Sequence, residues 1–229
     1  MLKHDIVARR PRIAAALVVT AAVANAAESI GMRMLLPPQP EDHAEALALV
    51  AAHRPTYAAL TVVGTLAVPL LAAAFWVLTG LAREHTPRLA LTARGLLLAG
   101  MWGFLGMHVV NLAQVPFSAD GTREAGATAI AAIQSSPVFL VLFLLPFLLG
   151  CALGLLLLAI ALLRSPVARW IPLALLAFLV VDFGLRNAGP VDAHWLFVAA
   201  SVGAAREILR QPSTVALAVE SSPRVVTVA

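Results

Sequence analysis

The sequence predicts an all-α, polytopic transmembrane helix bundle of about six spanning helices plus two short helices on the outer surface. Three observations carry that expectation. Of 229 residues, 61% are hydrophobic and only 12% are charged, whereas an ordinary soluble domain is roughly half apolar and a quarter charged. The apolar residues gather into runs that match the ~20 helical residues needed to cross a hydrocarbon core of ~30 Å. No ten-residue segment alternates as a barrel strand would, so helices, which satisfy their own backbone groups in lipid, are the economical way across. This composition excludes a soluble enzyme, a disordered chain and a coiled coil.

Six segments reach spanning length, at 12–36, 56–82, 89–116, 137–163, 167–186 and 191–209, all within one domain over 1–210. The fourth contains no charge at all, and the second, TYAALTVVGTLAVPLLAAAFWVLTGLA, is nearly as clear. The sixth is the weakest because Arg206 and Glu207 shorten its apolar part, leaving a full crossing and a tilted, partly interfacial helix both open. The first also fits a signal peptide, with a basic start, IAAALVVTAAV and Ala24-Asn25-Ala26 as a small-residue cleavage site. Arg9-Arg10 raises a twin-arginine signal, but Pro11 and Arg12 lack its apolar continuation. Apolar residues resume after Glu28 through Ile30, Met32, Met34, Leu35 and Leu36, which favours a retained helix over a cleaved one.

Two connections are long enough to fold locally. In PPQPEDHAEALALVAAHRP, the acids Glu41, Asp42 and Glu45 open a helical stretch, His53-Arg54 close it, and Pro55 stops it. In PFSADGTREAGATAIAAIQSSP, an Asp120-Gly121 turn and Thr122 as a cap precede a stretch ended by Pro137. Both read as short helices on the outer surface with Leu47, Val50, Ile130 and Ile133 turned inward. The remainder, 211–229, has no sustained periodicity and reads as a flexible cytoplasmic tail.

Orientation follows from the basic residues, fifteen of whose sixteen are Arg, a bias typical of a GC-rich bacterial genome. With the N-terminus inside, Lys3, Arg9, Arg10, Arg12, Arg83, Arg88, Arg94, Arg164, Arg169, Arg206, Arg210 and Arg224 fall on the cytoplasmic side. Only Arg33, Arg54, Arg123 and Arg186 fall outside, a ratio of 12 to 4. That asymmetry predicts a plasma-membrane protein with both termini cytoplasmic. The formal charge of +4 therefore reflects topology across the lipid bilayer, and a nucleic-acid partner is excluded because no basic surface is assembled.

Ionisable and amide groups within spans are costly, so each is a candidate for function. Asn25 and Glu28 share a face of the first helix, His108 and Asn111 a face of the third, and Asp182 stands one turn before Arg186 in the fifth. His194 opens the sixth. Helices one, three and five run outward and carry these groups in their outer halves, so an outward-facing polar pocket is the sharp expectation. Plainer readings stand beside it. Glu28 at the headgroups, Asp182 with Arg186 as an interfacial ion pair, His194 beside Trp195 as an interface anchor, and His108 with Asn111 as interhelical hydrogen-bond partners account for the same residues.

Gly150 and Gly154 form a GxxxG pattern, and Gly100, Gly103 and Gly106 thin one side of the third span. Internal packing is the expected use of these small faces, ahead of dimerisation. Pro69 and Pro146 fall near mid-span and allow kinks. The single cysteine, Cys151, excludes an internal disulfide and a Cys-pair metal site. There is no phosphate-binding loop, zinc-protease motif, C-x-x-C or nucleophile elbow. His108 alone is securely within a span, short of the pair a b-type haem requires. No catalytic set, cofactor or metal is expected.

The run Asn25-Ala26-Ala27-Glu28, the stretch from Ala44 to Pro55 ending AAHRP, and the glycine-rich GLLLAGMWGFLG together resemble a group of small, uncharacterised multi-pass membrane proteins common in GC-rich Gram-positive bacteria. The resemblance is one of layout over most of the chain, and it implies no activity to carry over. The leading functional expectation is a binding or transport-related module for a small polar solute or proton, with Asn25, Glu28, His108, Asn111, Asp182 and Arg186 at an outward pocket. The alternative is a non-catalytic scaffold or accessory subunit for a membrane partner protein, in which the same residues only pack helices. A membrane-embedded enzyme is the least favoured class.

Overall fold

Every regular element among residues 10–185 and 192–210, which the computed structural model describes, is helical. In chain order these are α1 (Pro11–Leu35), α2 (His43–Ala52), α3 (Arg54–Ala82), α4 (Pro87–Phe117), α5 (Arg123–Gln134), α6 (Pro137–Leu163), α7 (Trp170–Gly184) and α8 (His194–Arg210). Prolines open the four longest, at Pro11, Pro55, Pro87 and Pro137. The first turn of a helix does not need the missing N–H, and the fixed φ of proline is already helical. α1 runs unbroken through Glu28 to Leu35.

Four helices, α1, α3, α4 and α6, are long and apolar enough to cross a membrane. The other two expected spans are shorter. α7 has 15 residues and α8 has 17, which at 1.5 Å per residue gives about 22 and 26 Å against a core of ~30 Å. α7 starts at Trp170 and α8 at His194, both inside the boundaries expected from hydropathy. The expected tail, 211–229, and Arg186 lie outside the described residues.

The helices close into a ring. α1 packs on α3, α3 on α4, α4 on α6, α6 on α7, α7 on α8, and α8 returns to α1. The main core runs around this ring through residues such as Leu78, Leu97, Leu158, Leu162, Leu175 and Ile208, all essentially inaccessible. Between α4 and α6 the glycines face one another: a methyl added at Gly150 would lie 2.6 Å from the Gly100 nitrogen and the Leu96 carbonyl, and one at Gly154 2.7 Å from the Leu97 side chain. The small faces are thus consumed inside the chain, as expected.

Pro146 does interrupt α6. Just before it the helix widens into a π-turn over Leu140–Leu144, with the Leu145 amide donating to the Leu140 carbonyl. The widened turn covers the stretch in which proline removes a donor and crowds the preceding carbonyls. α7 ends in a second π-turn, Val180–Gly184, closed by the Leu185 amide donating to the Val180 carbonyl at 3.0 Å.

α2 and α5 pack on each other at one end of the ring, where Leu47, Val110, Ile130 and Phe139 form a second core. The Asp42 carboxylate accepts from the Glu45 amide at 2.9 Å and caps α2, as its acidic start suggested. Two expectations are corrected here. Ile133 is 41% exposed: it shares the face of Gly126 and Ile130 but stands in the last turn of α5, past the core that buries Ile130. Thr122 does not cap α5, since its hydroxyl donates backward to the Pro116 and Ala119 carbonyls.

Arg94, counted with the loop charges, lies two turns inside α4 and is only 7% exposed. Its Nε donates to Thr79 Oγ1 at 2.8 Å and its Nη2 to the Trp76 carbonyl at 3.1 Å, with the guanidinium 4.1 Å above the Trp76 ring. A delocalised, weakly hydrated cation can be held this way by a hydroxyl, a carbonyl and an aromatic face.

Candidate functional site

The ring encloses a cavity of about 240 Å³ to which all six of its helices contribute. Ten of the lining residues are apolar or sulfur-bearing, among them Leu71, Phe75, Met101, Phe104, Phe147, Cys151, Phe178 and Phe197. The polar ones are Asn25, Glu28 and Ser29 of α1, Asp182 of α7 and His194 of α8. A second chamber of about 540 Å³ lies where α1 gives way to α2, lined by Met32, Arg33, Pro37, Gln39, Leu49 and Tyr57 among others. Glu28 and Ser29 line both chambers, and Asp192 joins them on the second. The polar end of the inner cavity is therefore the wall it shares with the outer one.

Glu28 owes its position to a neighbour that has no side chain. A Cβ at Gly64 of α3 would overlap the Glu28 carboxylate, so the glycine supplies the space in which the acid sits. Glu28 is 8% exposed and accepts no hydrogen bond among the described residues. His108 Nδ1 of α4 lies 3.4 Å from its Oε1 without forming a hydrogen bond, and neither His108 ring nitrogen makes one among the described residues. His108, 2% exposed, is instead wedged edge-on to Phe104 with ring centroids 4.5 Å apart.

A second polar unit forms where the chain enters α8. The Ser29 hydroxyl donates to Asp192 Oδ2 at 3.1 Å. Asp192 Oδ1 accepts from the His194 amide at 2.9 Å and lies 2.8 Å from His194 Nδ1. The carboxylate thereby caps the start of α8 and holds the imidazole through Nδ1. Because the acid stands between serine and histidine, the imidazole has no contact through which to activate the Ser29 hydroxyl, and a serine-nucleophile arrangement is not formed.

Among the residues expected at a pocket, the structure brings Asn25, Glu28 and Asp182 to one cavity and sets His108 behind Glu28. Asn111 is not among the lining residues. Its Oδ1 accepts from Gln114 Nε2 at 3.3 Å, and Gln114 Oε1 in turn accepts from Gln39 Nε2 at 3.4 Å, tying α4 to the connection before α2. Arg186 lies outside the described residues, and Asp182 lines the cavity. His194 departs from its expected role as an interface anchor. Adjacent helical residues point about 100° apart, so Trp195 is 55% exposed while the imidazole turns into the cavity.

Sequence reasoning missed Asp192 and Ser29. The available signal was an acid two residues before a helix-opening histidine, the spacing of a capping carboxylate. Among the described residues no group of three or more histidine, cysteine or acidic side chains is arranged to hold a metal ion.

Fold and site together define a class: an all-helical chain with four helices of membrane-crossing length and a ring-enclosed cavity that is apolar in its body and polar at one end. Comparison with protein-family models, curated proteins and solved structures finds no match.

Proposed function

We propose that this is a multi-pass plasma-membrane protein whose six ring helices cross the bilayer with both termini cytoplasmic, and that it binds a small solute in the ring cavity as part of a transport-related role. The solute enters from the outer side through the second chamber. One observation carries the reading: Glu28, buried in a helix of membrane length, accepts no hydrogen bond among the described residues and faces both chambers. A carboxylate that only packed helices would be expected to meet donors, since an unpaired acid in hydrocarbon is destabilising. Here α3 instead provides Gly64 to accommodate it. The same observation speaks against a packing-only scaffold.

Cys151, the sole cysteine and a lining residue, is a native reporter for the cavity. In oriented vesicles, a small membrane-impermeant thiosulfonate added outside is expected to modify it. Ser29→Phe, which plugs the wall between the chambers, should slow that reaction while thermal unfolding in detergent stays cooperative. Modification from the inside only, or at a rate indifferent to the plug, overturns the outward entry.

A further inference from the structure

We infer that the solute is a protonated amine carried on a compact apolar body, its ammonium held by Glu28 and Asp182 and its body among the phenylalanine rings of the cavity. This deepens the solute-site reading and rests on it.

The hydrogen-bonding complement of the cavity points to a donor-rich cation. The Ser29 proton is committed to Asp192. Nδ1 of His194 is engaged by the same carboxylate. Glu28 receives no donor from the described residues, and Asp182 adds a second carboxylate to the lining. A neutral alcohol brings a single donor to this set, and an anion brings none and meets like charge. An ammonium brings several donors together with the positive charge that buried carboxylates otherwise lack. No Lys or Arg is among the described lining residues of the inner cavity; the histidines facing Glu28 and the shared wall are His108 and His194.

The rest of the lining fits the body of such a molecule. Phe104 stacks on Phe147 at 5.0 Å between ring centroids, and Phe147 meets Phe183 at 6.1 Å. Across the cavity Phe178 meets Phe197 at 5.3 Å, and Phe197 meets Phe75 at 6.0 Å. These two strings of rings offer apolar area to a hydrocarbon body and aromatic faces to a cation near it. The volume of about 240 Å³ exceeds the ~150 Å³ cavity that accommodates benzene, leaving room for an aromatic ring with a short aminoalkyl arm.

The test uses the full chain in lipid nanodiscs and three probes of matched shape: 2-phenylethylamine, 2-phenylethanol and phenylacetate. Isothermal titration is expected to show the amine binding at least about tenfold tighter than the alcohol, with no detectable binding of the carboxylate. Glu28→Gln should bring the amine down to the affinity that the alcohol shows for the same variant, with cooperative thermal unfolding in detergent reporting that the cavity is folded. Asp182→Asn is a second variant expected to move the same preference. Equal affinity for amine and alcohol, or a preference that survives both substitutions, overturns the amine assignment and leaves the solute cavity standing. Failure of all three probes to bind or to protect Cys151 from modification overturns the solute reading and the amine with it.

Discussion

Replacing Gly150 by alanine tests whether the α4–α6 seam is a contact of backbones. The added methyl carbon would lie 2.6 Å from both the Gly100 nitrogen and the Leu96 carbonyl and 2.8 Å from the Gly100 Cα. Ordinary contact begins near ~3.5 Å. The atoms in the way belong to a helix backbone, so the two helices have to part by about 0.9 Å along this seam. Overpacking of that kind destabilises by about 1–3 kcal/mol. Gly→Ala also gains about 0.5–1 kcal/mol in helix propensity, and Gly95→Ala on the exposed side of α4, where nothing lies within 4 Å, serves as the control for that gain. The difference between the two variants isolates the clash. Gly154→Ala should fall between them, since the atom nearest its methyl belongs to the Leu97 side chain. Equilibrium unfolding in dodecylmaltoside micelles with a rising fraction of SDS reads the order: Gly95→Ala most stable, then Gly154→Ala, then Gly150→Ala. If Gly150→Ala and Gly95→Ala agree within ~0.5 kcal/mol, the seam is not a backbone contact and the helix pairing is wrong.

Thr79→Val removes the hydroxyl that accepts from Arg94 Nε at 2.8 Å. It is expected to destabilise by about 1.5–3 kcal/mol, as for other bonds to a charged group, and the same unfolding assay measures it; wild-type stability would show that the Trp76 ring and carbonyl suffice for the cation. For topology, Leu185→Cys in a Cys151→Ala background places a thiol at a 59% exposed position at the end of α7. A crossing of the bilayer by α7 and α8 predicts labelling by an impermeant maleimide from outside. Labelling only from the cytoplasmic side would leave four crossing helices and remove the six-span reading.

The helical architecture was legible in the sequence because hydropathy and proline position act locally. The uncharged run of α6 and the prolines opening α1, α3, α4 and α6 are properties of neighbouring residues, and the helices begin at or next to those prolines. Two features were not legible for the opposite reason. Arg94 reads as a loop charge until Thr79 and Trp76, on another helix, are seen to hold it. Asp192 is the second residue of the expected sixth span, 191–209, where an acid at a helix start does not stand out as buried, and its partner Ser29 is 163 positions away in sequence yet adjacent in space. Glu28 and His108 were recognised from their depth in apolar segments. That Asn111 would turn to Gln114, away from the cavity, depends on the rotation of α4 within the ring, which the nearly uniform apolarity of that helix does not specify. His194 shows the same limit: the sequence places it at a helix start, and the rotation of α8 decides which way it faces.

Because α8 packs back against α1, the wall around the polar face of the first helix is completed by the last helix described. During synthesis Asn25 and Glu28 are made first. His108 reaches Glu28 only once α4 has been made, and Asp192 reaches Ser29 only as α8 begins. Until then the acid has to be sheltered by lipid headgroups, water or the insertion machinery. A chain that stops before His194 therefore lacks the helix that closes the ring over the polar face of α1.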